Sequence, residues 1–167
     1  MNTLLDRIST LHISAYKITT ALLHTELANA GNIGIFCQDD EEYEYFLGLQ
    51  KEIALVNQNP LQKYFPLKKS IVLPSPITRR SIYYTHLYIR KPDPSIYGRN
   101  LGDIDFYVSQ KDYDEIKSRV ELGLLRNTDM YLQTGVGELI QIQDIENRVL
   151  AYISTRDITE KIRFRYE

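Results

Sequence analysis

A chain of 167 residues with 43% apolar and 25% charged residues is long enough for one domain with its own core, too short for two of ordinary size, and unlike disordered or fibrous chains. Its formal net charge of −2 lacks the basic excess that long-range attraction to phosphate backbones produces, so nucleic acid is not an expected partner. The single cysteine, Cys37, allows neither an internal disulfide nor a thiolate metal cluster and fits a reducing, cytoplasmic setting.

Asp6 and Arg7 interrupt the first leucines, so no signal peptide is expected there. No apolar run approaches the roughly 20 residues of a membrane-spanning helix, and a soluble protein is expected. From Leu4, the positions Ile8, Leu11, Ala15, Ile18 and Leu22 follow three-and-four spacing, which predicts an amphipathic helix ended by Gly31. This segment, residues 1–30, reads as an added N-terminal helix, packed on its own domain or forming the seam of a homodimer.

Ile33 to Cys37 predicts a short strand, and Asp39 with Glu42 a helix start whose buried face is Tyr43, Phe46, Leu47, Ile53 and Ala54. Leu67 to Leu73 and Ser81 to Arg90 read as strands around the Pro74-Ser75-Pro76 break. On the second of these, alternation places Tyr84, His86, Tyr88 and Arg90 on one face and Thr85, Leu87 and Ile89 on the other. Lys91 to Gly102 is a long loop; Asp103 to Val108 is a strand with Asp103, Asp105 and Tyr107 opposite Ile104, Phe106 and Val108.

Ser109 with Asp112 predicts a second capped helix that buries Tyr113, Ile116 and Val120. Three strands follow, near Asp129 to Gln133, Glu138 to Asp144 and Arg148 to Ser154, with a turn at Glu146-Asn147. Residues 156–167 form a charged tail that fits a short helix or a strand. Thirteen tyrosines without a tryptophan fall largely in the strands, where tyrosine suits a half-buried pleated surface.

A shift of about 70 residues sets Phe36 over Phe106, Tyr43 over Tyr113 and Phe46 over Ile116, so strand and helix recur in the same order. This repeat, with the hairpin from Glu138 to Ser154, resembles the paired βαβββ modules of the vicinal oxygen chelate superfamily, the glyoxalase and bleomycin-resistance group. The resemblance implies an α+β fold over residues 31–155, with modules at about 32–91 and 103–154 forming a curved, mainly antiparallel sheet. It also implies, in enzymatic members, a divalent metal held by His and Glu on equivalent strands. Here Asn32, Gly34, Asp103, Asp105 and Tyr152 stand near those places, and only His86 is a good ligand type, so neither a metal nor a cofactor is expected.

The segment Tyr97 to Val108 resembles part of the signature of polymerase-β-like nucleotidyltransferases. Carboxylates at i and i+2 share a strand face, where they can clamp Mg²⁺. The upstream Gly-Ser pair of that family is missing, and Asp144 or Glu138 is only a nominal third carboxylate.

These readings converge on a concave face lined by His86, Tyr88, Arg90, Asp103, Asp105, Tyr107 and Glu138, which binds a small molecule. Arg90 would hold an anionic group, Tyr88 and Tyr107 would stack or hydrogen-bond, and Asp103, Asp105 or His86 would take a proton or hold a metal. The alternatives are a metal-dependent nucleotidyltransferase-like enzyme using Asp103 and Asp105, and a non-catalytic oligomeric interaction protein.

Overall fold

Thr3 opens helix α1 (Leu4–Leu23) with a reciprocal cap: its hydroxyl accepts from the Asp6 N–H at 3.1 Å, and its own N–H donates to Asp6 Oδ2 at 3.0 Å. The structure, a computed structural model, describes residues 3–166; Met1, Asn2 and Glu167, the ends of the expected helix and tail, lie outside the described residues. The expected stripe is buried, with Leu4, Ile8, Leu11 and Ala15 in the core. The helix stops earlier than Gly31, however: His24 turns left-handed at φ 59° and donates its N–H to Thr20 O at 2.9 Å. Arg80 explains the early exit, because it binds Glu26 at 3.0 Å and the Leu27 carbonyl at 2.5 Å and holds the next residues along the sheet. Gly31 itself belongs to strand β1 (Asn29–Phe36).

Helix α2 (Asp40–Ile53) starts where Asp39 accepts from the Glu42 N–H at 2.8 Å. Strands β2 (Phe65–Pro74), β3 (Ser81–Arg90) and β4 (Gly102–Val108) follow, with a 3-10 turn at Tyr97–Arg99 between the last two. Helix α3 (Gln110–Glu121) is capped by Ser109, which accepts from the Asp112 N–H at 3.1 Å. The chain continues through β5 (Thr128–Gln133), β6 (Gly137–Asp144), β7 (Val149–Thr155) and α4 (Arg156–Lys161).

All seven strands form one curved, open sheet in the order β2-β3-β1-β4-β7-β6-β5. The pairs β1–β3 and β4–β7 are parallel, and the other four are antiparallel. In each half the opening strand leads into a helix and then pairs in parallel with the closing strand of its own half, and the two opening strands meet antiparallel at the centre. This is an α+β fold of two βαβββ-like modules, with the first short of one strand: β5 has no counterpart, and residues 55–64 run outside the sheet in its place.

Two layers of core follow. Helices α1, α2 and α3 bury Leu11, Tyr16, Phe46, Tyr113 and Ile116 against one face, with Ile33, Leu87, Ile104 and Phe106 from the sheet. The other face carries a smaller cluster of Phe36, Tyr64, Leu139, Leu150, Tyr152 and Ile162. Phe36 and Phe106, matched by the repeat, therefore face opposite sides; Ile33 pairs directly with Ile104, and the side-chain period of two then puts Phe36 and Phe106 apart. Tyr84 also departs from the alternation expected on β3. The register with β2 slips between Pro66 and Ile71, and this irregularity leaves Tyr84 in the helix-side core with Leu87 while His86, Tyr88 and Arg90 face the other way.

His12 of α1 is buried against Tyr84, whose hydroxyl lies 2.8 Å from Nδ1, while Nε2 lies 3.0 Å from Pro74 O. The carbonyl accepts only, so Nε2 carries the proton and Nδ1 accepts from tyrosine. The tail after α4 crosses the concave face. Arg163 O accepts from the Lys63 and Tyr64 amides at 2.9 and 3.2 Å, and the Arg165 N–H donates to Leu61 O at 2.6 Å. No helix among the described residues is long and apolar enough to cross a membrane.

Candidate functional site

Strand register builds the site row by row. One row across the concave face reads His86, Asn32, Asp105, Tyr152 and Gln141; the next reads Tyr88, Gly34, Asp103, Leu150 and Gln143; Arg90 stands beside Phe36 beyond them. Asp103 and Asp105 thus sit at the middle of the sheet, both almost fully buried. Gly34 makes room for the first of them, because a Cβ there would lie 2.2 Å from Asp103 Oδ1. Lys63 and Tyr64, from the segment between α2 and β2, and Ile162, from the tail, close over these rows.

The cavity they line holds about 350 Å³. Asp103 accepts from the Tyr64 hydroxyl at 3.2 Å, and Asp105 accepts from the Asn32 amide at 2.9 Å. Asn32 also donates to Thr159 O at 3.0 Å and accepts from Arg163 Nε at 2.9 Å, which fixes the orientation of its amide. Across the cavity the Tyr152 hydroxyl bridges Gln141 Oε1 at 3.0 Å and the Tyr97 hydroxyl at 3.2 Å. Arg90 lies 4.5 Å from the Tyr97 ring centre and 5.0 Å from that of Phe36, and it donates to Asp93 at 2.6 Å.

Burial pushes both carboxyls well above the usual aspartate range. For Asp103 the Lys63 ammonium and the Tyr64 hydrogen bond oppose the rise; for Asp105 the neighbouring Asp103 charge adds to it. The two groups are coupled, so ionising one opposes ionising the other and the pair holds on to a proton more tightly than a free aspartate does. Burial likewise lowers the Lys63 ammonium, against the pull of both aspartates.

No family model matches the chain, and no curated protein matches it. Among solved structures it is similar to a structural-genomics target, protein EC4020, at 14% identity over 95% of this chain and 91% of that one, with a TM-score of 0.52. That likeness shows a shared fold. The chain also overlaps a Streptomyces coelicolor methylmalonyl-CoA epimerase in complex with 2-nitronate-propionyl-CoA, at 20% identity over 78% of this chain and 98% of the other, with a TM-score of 0.33. A methylmalonyl-CoA epimerase in complex with methylmalonyl-CoA and NH4+ overlaps at 17% identity over 78% and 97%, with a TM-score of 0.34. Overlaps of this size carry no inference about the activity of the present chain.

Of the residues expected on the concave face, Tyr88, Arg90, Asp103 and Asp105 line this cavity. His86 and Tyr107 share the face but lie beyond the Asn32–Arg163 contact, on a second cavity of about 500 Å³. Glu138 is elsewhere: it follows the parity of Ile140 and Ile142 on β6, points to the helix side, and binds Lys117 of α3 at 2.6 Å. Asp144 also faces the helices, where it accepts from Ser14 of α1 at 2.5 Å. Neither carboxylate nominated to complete a nucleotidyltransferase triad reaches Asp103 and Asp105.

The donor set does not fit the metal centre that the family resemblance implies. Asn32, Tyr64 and Lys63 surround the two aspartates, His86 stands apart, and among the described residues no group of three or more His, Cys, Asp or Glu is placed to hold a metal ion. Several wall residues escaped sequence reasoning, chiefly Lys63, Tyr64, Tyr97, Tyr131 and Ile162. The strand character of Tyr131 is a local signal; Lys63, Tyr64 and Ile162 come from segments without periodicity, and only chain crossing brings them here.

Proposed function

We propose that the chain binds a small polar molecule in the Asp103–Asp105 cavity, through a vicinal-oxygen-chelate-like fold and without that family's usual metal site. One observation carries this reading: two carboxyl groups lie buried side by side at the floor of an open cavity walled by five tyrosines. Burying like charges together is costly, and core packing supplies no reason for it; perturbed carboxyls in a cleft are the signature of a binding or reacting site. With one proton retained the pair carries a single negative charge, which Lys63 offsets. Arg90 is already engaged by Asp93. The balance favours a neutral ligand that offers hydroxyl, amide or carbonyl groups to the aspartates and an apolar body to Tyr97, Leu139 and Tyr152; an anionic ligand must first draw Arg90 from Asp93.

A screen of polar fragments by thermal shift, followed by amide NMR mapping, tests this. Hits are expected to stabilise the protein, to move the resonances of Gly34 and Asp103, and to bind Asp105→Asn at least about tenfold more weakly. Fragments that bind Asp105→Asn as tightly as the parent would sink the reading.

A further inference from the structure

The second cavity has a different chemistry. It lies on the same face, between the start of β1, the first half of β3 and the tail, and holds about 500 Å³. Its charged lining is three arginines, Arg80, Arg156 and Arg163, against one carboxylate, Glu160. Arg80 is committed to Glu26 and the Leu27 carbonyl, and Arg156 to Glu160 at 3.1 Å. Arg163 differs from both. It is half-buried, only its Nε is engaged, by Asn32, and neither terminal nitrogen has an acceptor among the described residues. Its Nη2 stands 3.5 Å from where a Gly31 Cβ would lie, so the free edge of the guanidinium faces the cavity wall formed by β1.

Guanidinium N–H groups that open onto a cavity without a protein acceptor can pair with an anion, and their planar fork matches one that offers two oxygens. Burial disfavours the Arg163 charge most, and Arg156 only slightly, against the pull of Glu160 and Asp105; a bound anion adds to that pull. Burial, followed by the Arg163 charge, pushes the His86 imidazole down to about 4, so the ring is neutral at physiological pH and the positive charge resides on the arginines. We infer that this cavity is a second ligand site, one that receives a carboxylate or phosphate group in the fork of Arg163, with Arg156 at its rim. The inference is independent of what the Asp103–Asp105 cavity binds.

Inorganic phosphate and succinate, titrated separately at constant ionic strength and followed by amide and arginine side-chain NMR, test it. Saturable shifts at Gly31, Thr85, His86 and Arg163 Nε are expected for at least one probe, and the tighter probe identifies the oxyanion. Arg163→Gln is expected to weaken binding about tenfold or more, the loss of a charge-assisted bidentate pair. Arg163→Lys keeps the charge without the fork and should fall between; if the glutamine variant does not fold, this variant decides. The amides of Gly34 and Asp103 should not shift, which separates this site from the first; saturable shifts there instead would place the anion in the Asp103–Asp105 cavity and overturn the inference. No saturable shift with either probe across the millimolar range overturns the inference. So does equal affinity in every folded Arg163 variant, which would mark diffuse attraction to surface charge.

Discussion

Asp105 shows how a buried group reports on its surroundings. Its carboxyl is raised by burial and then by Asp103, so above about pH 4 the folded state binds more protons than the unfolded chain. Stability therefore falls as pH rises from there through the raised folded-state value. Asp105→Asn removes this titration, and the variant is expected to be more stable than the parent by about 1–3 kcal/mol near pH 8, with a smaller difference near pH 5. Urea unfolding at the two pH values measures the difference. A variant weaker than the parent at the higher pH would mean that Lys63 and Asn32 compensate an ionised Asp105. At Cys37, burial pushes the thiol up to about 12, which leaves it an inert core residue rather than a nucleophile.

At the level of elements, α1 packs its apolar stripe into the larger core. Ile8, Leu11, Ala15 and Tyr16 are fully buried, and Arg7 reaches across to Glu42 of α2 and to the Phe36 carbonyl at 3.3 Å. Leu11→Ala is expected to lower the unfolding free energy by about 3 kcal/mol. A loss under about 1 kcal/mol in urea titration would mean that this helix face packs loosely. The caps of α2 and α3 and the limits of β3 were legible in the sequence, because Asp39, Ser109 and the alternation within one strand act over a few residues. The end of α1 was not, because it depends on Arg80, 54 positions from its partner Glu26.

Across the whole molecule, the tail divides the concave face into its two cavities and links them: Arg163 holds Asn32, and Asn32 holds Asp105. The Lys63 and Tyr64 amides depend on Arg163 O. A chain shortened after Lys161 is expected to lose hydrogen-exchange protection at both amides, while Ile33 and Ile104 in the central strands keep theirs. Unchanged protection at Lys63 and Tyr64 would show that the tail does not hold that segment in solution. By itself the sequence determined the α+β class, the order of the elements, the twofold recurrence of strand and helix, and the placement of Asp103 and Asp105 on one strand face, all consequences of local caps and of side-chain periods. Only the tertiary structure decided that Glu138 turns to the helices, that His86 and Tyr107 belong to a separate cavity, and that Tyr64, Tyr97 and Arg163 join the aspartates or wall them off. Those outcomes depend on strand register and on a tail crossing the sheet, which bring together residues that no short-range pattern relates.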